Sequence, residues 1–121
     1  MTDLIAAPSI VKAQGKIPKS IQEFIGRVNT HSEDVSIAKM VSPEGWSEPG
    51  QEPEFDEYTI VLKGTLCVKT TCRLFEVKSG QACVAHKGEW VQYSTPYKDG
   101  AEYISVCIPA FGPAKVHRDN G

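Results

Sequence analysis

The sequence predicts an all-β domain, either a sandwich or a barrel. From residue 35 onward it contains at least seven short segments rich in β-branched and aromatic residues, separated by turns with Gly or Pro. No alternation of strands with long helices supports a parallel sheet. A chain of 121 residues fits one hydrophobic core. We therefore expect a β domain of residues 35–121, preceded by an N-terminal arm of residues 1–34 that packs on it.

The arm has weak periodicity. One edge strand is expected within residues 9–13 (SIVKA). Ser20 and Glu23 match a capping box, in which a Ser at the N-cap is followed three positions later by Glu. This pattern predicts a short helix over residues 21–27, weakened by Gly26. A polar loop of residues 29–34 then leads into the β domain.

The predicted strands of the β domain are short. They comprise residues 35–41, 58–62, 65–69, 73–77, 82–85, 90–94 and 101–108. Lys63-Gly64 is interpreted as the turn between the second and third of them. Pro109, Gly112 and Pro113 end regular structure. The last residues (KVHRDNG) are expected to form a solvated tail in which His117 has no partner.

Composition and charge exclude several function classes. The formal net charge is -2, and no Lys/Arg cluster predicts nucleic-acid binding. No apolar run reaches the about 18 residues that a membrane helix needs. The N-terminus, with Asp3 and no basic region before a long apolar block, does not match a signal peptide. A cytoplasmic location is therefore expected.

Four cysteines are present and none forms a CxxC pair. Cys67 and Cys72 would face each other across a tight hairpin at Lys69-Thr70, which leaves a disulfide open as an alternative. Free thiols are favoured because a cytoplasmic location is expected. Cys83 and Cys107 lie in apolar strand contexts and are interpreted as small buried hydrophobic residues.

Two spaced patterns resemble the motifs of the cupin family. Gly45, Gln51, Pro53, Glu57 and Gly64 match the spacing of the first motif. The sequence around residues 80–91, with a turn at 86–88, resembles the second. The resemblance covers about residues 35–109 and implies an antiparallel jelly-roll barrel (a double-stranded β-helix), commonly a homodimer.

The positions of the metal ligands depart from the family pattern. Cupins that bind metal typically use two His and one Glu of the first motif and one His of the second. Here those positions hold Gln51, Pro53, Glu57 and Val91, so only the Glu is retained. One carboxylate and one amide do not make a tight transition-metal site. We therefore expect no metal and no other cofactor. An atypical site would need Glu57 together with some of Glu48, Glu54, Glu102, His86 and Cys83.

Glu57 is the candidate catalytic residue. In the cupin register its side chain points into the barrel with Thr59 and Val61, and burial of a carboxyl group raises its proton affinity. It would then serve as a general acid or base, although a buried Glu can also simply fix the core through hydrogen bonds. The acidic run at residues 48–56 is expected to form a solvated rim. The candidate ligand-binding residues are Gln51, Tyr93, Trp46, Trp90 and His86.

Three functions remain open on these residues. The first is a protein that binds a small organic molecule in the barrel, acting as a metal-independent isomerase, epimerase or lyase through Glu57. The second is a metal-dependent enzyme, such as a dioxygenase, with rearranged ligands. The third is a structural or ligand-sensing protein without chemistry. An open cavity that contains Glu57 would count against a purely structural role.

Overall fold

The computed structural model describes residues 1–13 and 17–119, and within these residues the chain is almost entirely β. The strands are β1 (Ser9–Ile10), β2 (Ser20–Ile25), β3 (Ser36–Ser42), β4 (Trp46–Ser47), β5 (Asp56–Thr70), β6 (Leu74–Lys78), β7 (Ala82–Ala85), β8 (Val91–Thr95) and β9 (Ala101–Ile108). One short helix, α1 (Pro113–Val116), follows β9. Among these residues no helix is long and apolar enough to cross a membrane.

All strand pairs are antiparallel, and they form two sheets that share β5. The first half of β5 lies between β7 and β9, and the sheet continues through β3 and β2 to β1. The second half of β5 lies between β6 and β8, with β4 beyond β8. This curled arrangement is the predicted jelly roll, so the all-β fold class is confirmed.

The predicted turn at Lys63-Gly64 is wrong, because β5 continues through it as one strand of 15 residues. Its register against β9 shifts between Val61 and Lys63, and Gly64 has a φ of 75°. A Cβ at Gly64 would lie 2.0 Å from the carbonyl oxygen of Gly100. A bulge followed by a left-handed Gly therefore bends β5 from one sheet into the other.

The predicted helix over residues 21–27 is also wrong. Residues Ser20–Ile25 form β2, which pairs with β3 from Ser20↔Val41 to Ile25↔Ile37. The Glu23 carboxylate accepts hydrogen bonds from the amides of Val28 and Asn29 at 2.9 and 2.8 Å instead of capping a helix. Pairing with β3 thus overrides a weak local preference. The predicted boundary between residues 34 and 35 stays a prediction. The strands on its two sides, β2 and β3, pair in one sheet.

The cysteines are free, and the register excludes the Cys67–Cys72 disulfide. The hairpin turn lies at residues 71–72, later than predicted, because the Thr70 amide donates to the Arg73 carbonyl at 2.8 Å. Cys67 therefore pairs with Glu76 across the ladder, and Cys72 lies exposed in the turn.

The C-terminal segment packs on the barrel and is not a solvated tail. Val116 joins Phe55 and Cys107 in a small buried cluster, with Phe111 packed against it. The tail backbone runs beside residues 50–54, where the amide of Glu54 donates to the Lys115 carbonyl at 2.7 Å. His117 bonds the Glu54 carboxylate, so it has a partner after all. The segment of residues 113–119 consequently covers one end of the barrel interior.

Candidate functional site

The barrel encloses a cavity of about 500 Å³. Its walls come from inward-facing residues of β3, β5, β8 and β9, and its remaining sides from the N-terminal arm and the C-terminal segment. About half of the wall residues are apolar or aromatic, and the others are polar or charged. The charged residues that line it are Lys12, Lys19, Glu23, Glu48, Glu57 and Arg118, with His117 also on the wall. A cavity of this size and character is typical of a small-molecule site.

Glu57 lies on β5 at the wall of this cavity, as its predicted register requires. One carboxylate oxygen accepts a hydrogen bond from the Tyr93 hydroxyl at 3.3 Å, and the other accepts one from the Ser105 hydroxyl. Tyr93 comes from β8 and Ser105 from β9. Three strands therefore fix the orientation of this carboxyl group.

Burial raises the pKa of the Glu57 carboxyl group above its ordinary value, and the nearby Glu48 carboxylate adds to the rise. The Ser105 and Tyr93 hydrogen bonds and the Lys19 ammonium oppose it. Burial, followed by the charge of Glu57, likewise keeps the pKa of Tyr93 well above its usual range. Tyr93 therefore stays a hydroxyl donor. Glu57 has the raised proton affinity that acid or base catalysis uses.

Gln51 and Glu48 share a cation that comes from the C-terminal segment. A guanidinium nitrogen of Arg118 donates to Gln51 Oε1 at 2.9 Å and to Glu48 Oε2 at 3.2 Å. Gln51 also forms isolated backbone bridges with Val91 and Arg118. Glu48, expected on a solvated rim, is therefore buried in an ion pair inside the barrel.

Lys19 reaches the cavity from the N-terminal arm. Its ammonium group lies 4.0 Å from the centre of the Trp46 ring and donates a long hydrogen bond of 3.4 Å to the Tyr103 hydroxyl. Tyr103 is held in turn by Ser42 at 2.8 Å. Burial lowers the pKa of Lys19, while the charges of Glu48 and Glu57 act in the opposite direction.

The structure brings together only part of the predicted ligand-binding set. Gln51 and Tyr93 line the cavity with Glu57. Trp46 is fully buried behind Lys19. Trp90 does not line the cavity. It packs against Gly50 and donates from its ring nitrogen to Asp119 at 2.9 Å, so it holds the C-terminal segment from outside. His86 lies in an exposed turn away from the cavity, beyond the end of β7.

The residues present do not fit the metal that cupins often carry. Within residues 1–13 and 17–119 no group of three or more His, Cys, Asp or Glu side chains converges. Glu54 bonds His117 and Glu102 pairs with Lys39, so these two alternative ligands are engaged elsewhere. The oxygens of Gln51 and Glu48 already bind a guanidinium group, whose charge would repel a metal ion beside it.

The cavity residues that the sequence analysis did not name are Lys19, Tyr103, Ser105 and Arg118, and it named Glu48 only for an atypical metal site and the acidic rim. Ser105 and Tyr103 share the inward alternation of β9, which places them on the wall. That alternation was the one signal available for them. Lys19 and Arg118 lie in irregular segments, where no periodicity indicates the direction of a side chain.

Comparison with known proteins supports the fold of this chain. No family model matches the chain. The curated protein "Endoribonuclease YbeY" of Myxococcus xanthus is 40% identical over 101 residues, which cover 84% of this chain and 34% of that protein. The chain thus spans about a third of the length of this relative, and the name of the whole protein does not carry over to the matched part.

Several solved structures share the fold at low identity. The polyketide cyclase RemF of Streptomyces resistomycificus is 19% identical, with a TM-score of 0.73 over 100% of this chain and 87% of that one. A predicted oxalate decarboxylase of Thermotoga maritima is 18% identical, with a TM-score of 0.72 over 90% and 99%. The Clostridium difficile EutQ protein is 23% identical, with a TM-score of 0.65 over 78% of this chain and 65% of that one.

These neighbours are cupin-fold proteins, and the curled antiparallel sheets match theirs. The chain therefore has the cupin fold that its two motifs predicted. Its barrel contains a cavity in which Glu57 faces a mixed polar and aromatic wall.

Proposed function

We propose that this protein binds a small organic molecule in the barrel cavity and transfers a proton on it through Glu57, without a metal cofactor. The observation that carries this proposal is the position of Glu57, which lines the cavity with both oxygens held and its pKa raised. An isomerase, epimerase or lyase would use such a group to remove or return a proton on carbon.

The neighbouring groups support this chemistry. Tyr93 and Gln51 lie on the same wall as Glu57 and would orient a ligand or donate hydrogen bonds to a developing oxyanion.

Two other functions receive less support. Packed side chains would suit a purely structural role, whereas the interior is open. A role in ligand sensing shares the same cavity and differs only in the absence of proton transfer. We do not extend ribonuclease activity to this chain, because the match covers only 34% of the relative that carries this name.

Filling the cavity is expected to abolish ligand binding. Ala38 lines the cavity from β3, so Ala38→Trp would occupy the space of a small ligand. Small organic molecules that stabilise the wild type in a thermal-shift screen should have no effect on this variant. At 100 times the dissociation constant, the lost stabilisation is about 2.7 kcal/mol. The same change at exposed Ala6 is the control, and an unaltered response of a folded Ala38→Trp protein would contradict a ligand in the cavity.

We also propose that the protein is a homodimer. The outer face of the sheet, opposite Glu57 and Thr59, carries exposed apolar side chains on neighbouring strands. They are Tyr58, Ile60, Leu62, Val84 and Ile108, each 41–50% exposed. Contiguous apolar surface of this kind marks protein interfaces.

The dimer proposal is tested by the mass in solution. We expect light scattering to give twice the chain mass for the wild type and a monomer for Ile60→Lys, because a charge in the centre of an apolar interface is costly. Leu74→Lys, at an exposed position on β6, should remain dimeric. A monomeric wild type would exclude this proposal.

A further inference from the structure

Two cations in the cavity have no role in the proton transfer proposed for Glu57. Lys19 comes from the N-terminal arm and Arg118 from the C-terminal segment, and both line the same cavity. Neither belongs to the strands that build the barrel wall. Burial lowers the pKa of Lys19 most, and the charge of Arg118 lowers it further, while the charges of Glu48 and Glu57 oppose the fall. Two like charges brought to one enclosed space destabilise each other unless an anion lies near both.

Lys19 is the less satisfied of the two. An ammonium group has three N–H donors, but its hydrogen bond within the described residues is the 3.4 Å contact with Tyr103. No carboxylate of residues 1–13 and 17–119 lies within 4.0 Å of it. The Trp46 ring covers one side of the ammonium at 4.0 Å. Its remaining donors are therefore available to a ligand in the cavity.

Arg118 is held in place but not saturated. Both of its side-chain hydrogen bonds, to Glu48 and Gln51, use one terminal nitrogen. A guanidinium group has five N–H donors in a planar fork, so donors remain on its other nitrogens. Because Glu48 and Gln51 fix the plane of the fork, ligand binding would cost little additional side-chain entropy.

Most charged groups on the cavity wall already have partners within the protein. Glu48 is neutralised by Arg118, and Glu23 is stabilised by the amides of Val28 and Asn29. His117 bonds Glu54, and Lys12 is exposed at the edge. Of the two interior cations, Lys19 is therefore the one without an ion pair among the described residues.

We propose that the ligand is an organic monocarboxylate whose carboxylate group lies between Lys19 and Arg118 and whose apolar body contacts the aromatic wall. That wall includes Phe55, Tyr103 and Phe111. This inference rests on the ligand-binding cavity proposed above, and it names the chemical class of the ligand. It also gives a role to two cations that come from the terminal segments and not from the strands of the barrel wall.

Calorimetric titration of the full chain with matched pairs of aromatic acids and amides tests this class. The probes are benzoate, phenylacetate and 2-naphthoate, each compared with its primary amide. We expect at least one acid to bind and its amide to bind at least tenfold more weakly. Lys19→Met should weaken binding of that acid by about tenfold to a hundredfold, the usual worth of a charged hydrogen bond, without affecting the amide. Lys19→Arg should restore much of the affinity, and Lys98→Met, at an exposed position, should change nothing.

Arg118→Lys provides a second variant that keeps the charge and loses the fork, and we expect it to weaken acid binding by about tenfold. Equal affinity for acids and amides, failure of all three acids, or unchanged acid binding by Lys19→Met would overturn the proposal.

Glu57→Gln separates this inference from the proton-transfer function. If that variant still binds the acid while the wild type transfers no proton, proton transfer fails and the ligand class stands. If the wild type transfers a proton on neutral ligands and binds no acid, the ligand class fails and the proton-transfer function stands.

Discussion

Replacing Glu57 with Gln is expected to remove proton transfer while leaving the cavity intact. The amide has the size and shape of the carboxyl group, so the contacts with Tyr93 and Ser105 are largely retained. An amide does not act as a general acid or base near neutral pH, and loss of a general acid or base costs about 10²- to 10⁴-fold in rate. The measurement is incorporation of solvent deuterium into a bound ligand, followed by mass spectrometry.

The same substitution should change the dependence of stability on pH. Burial raises the pKa of Glu57 in the folded protein above the value of about 4.5 expected for an unfolded chain. Glu57 therefore contributes most to stability below pH 4.5, and this contribution is lost as the pH rises through the folded pKa. Gln does not titrate. The unfolding free energy of Glu57→Gln relative to the wild type should consequently increase across that interval and then level off.

Chemical denaturation between pH 4 and pH 8 gives this difference directly. Glu76→Gln, which replaces an exposed carboxylate on β6, is the matched control and should show no comparable rise. A Glu57→Gln variant that is equally destabilised at every pH would indicate a structural role for the carboxylate. Such a result, combined with unchanged deuterium incorporation, would refute the function proposed for Glu57.

Removal of the Arg118 side chain is expected to destabilise the protein strongly. Arg118→Met would leave the Glu48 carboxylate, whose side chain is 6% exposed, without its cation. Breaking a buried ion pair on one side costs about 3–5 kcal/mol. Because the Arg118 side chain is 20% exposed, water would solvate part of the unpaired Glu48 charge. We therefore expect a loss of stability at the lower end of this range, about 3 kcal/mol. For a chain of this length, that corresponds to a fall in melting temperature of roughly 12 °C.

A double-mutant cycle isolates the ion pair from other effects of the substitution. Glu48→Gln combined with Arg118→Met removes both charges, so much of the lost stability should return. Lys115→Met, which removes a surface partner 3.9 Å from Glu54, should cost less than about 1 kcal/mol. If Arg118→Met and Lys115→Met have the same small effect, the pair inside the barrel does not hold the C-terminal segment as described.

Much of the barrel could be predicted from local pattern. The alternation of β8 and β9 places Tyr93 and Ser105 on one face. Motif spacing predicts that Glu57 faces the interior. Gly64 was recognised as a special position, but a left-handed Gly occurs both in turns and in bulges, so the sequence did not distinguish a hairpin from a bent strand. Pairing with β9 on both sides of the bulge shows that β5 is one bent strand.

The candidate site was predicted in part. Glu57 and Tyr93 meet in the cavity because they lie on β5 and β8, and Gln51 joins them through an isolated bridge with Val91. His86 and Trp90 lie in turns or at strand ends, where backbone direction is set by the surrounding structure. Glu48 was interpreted as a rim residue from its acidic neighbours. Its burial depends on Arg118, which is 70 positions away in the chain.

Alternating side chains and motif spacing determined the fold class, the inward face of the barrel and the choice of Glu57, because strand periodicity is a local property of the chain. Tertiary structure alone decided the charge of the cavity. Lys19 and Arg118 reach Glu48, Glu57 and Gln51 only after two irregular terminal segments pack on the barrel. Contacts across such distances depend on packing and leave no periodic signal in the sequence.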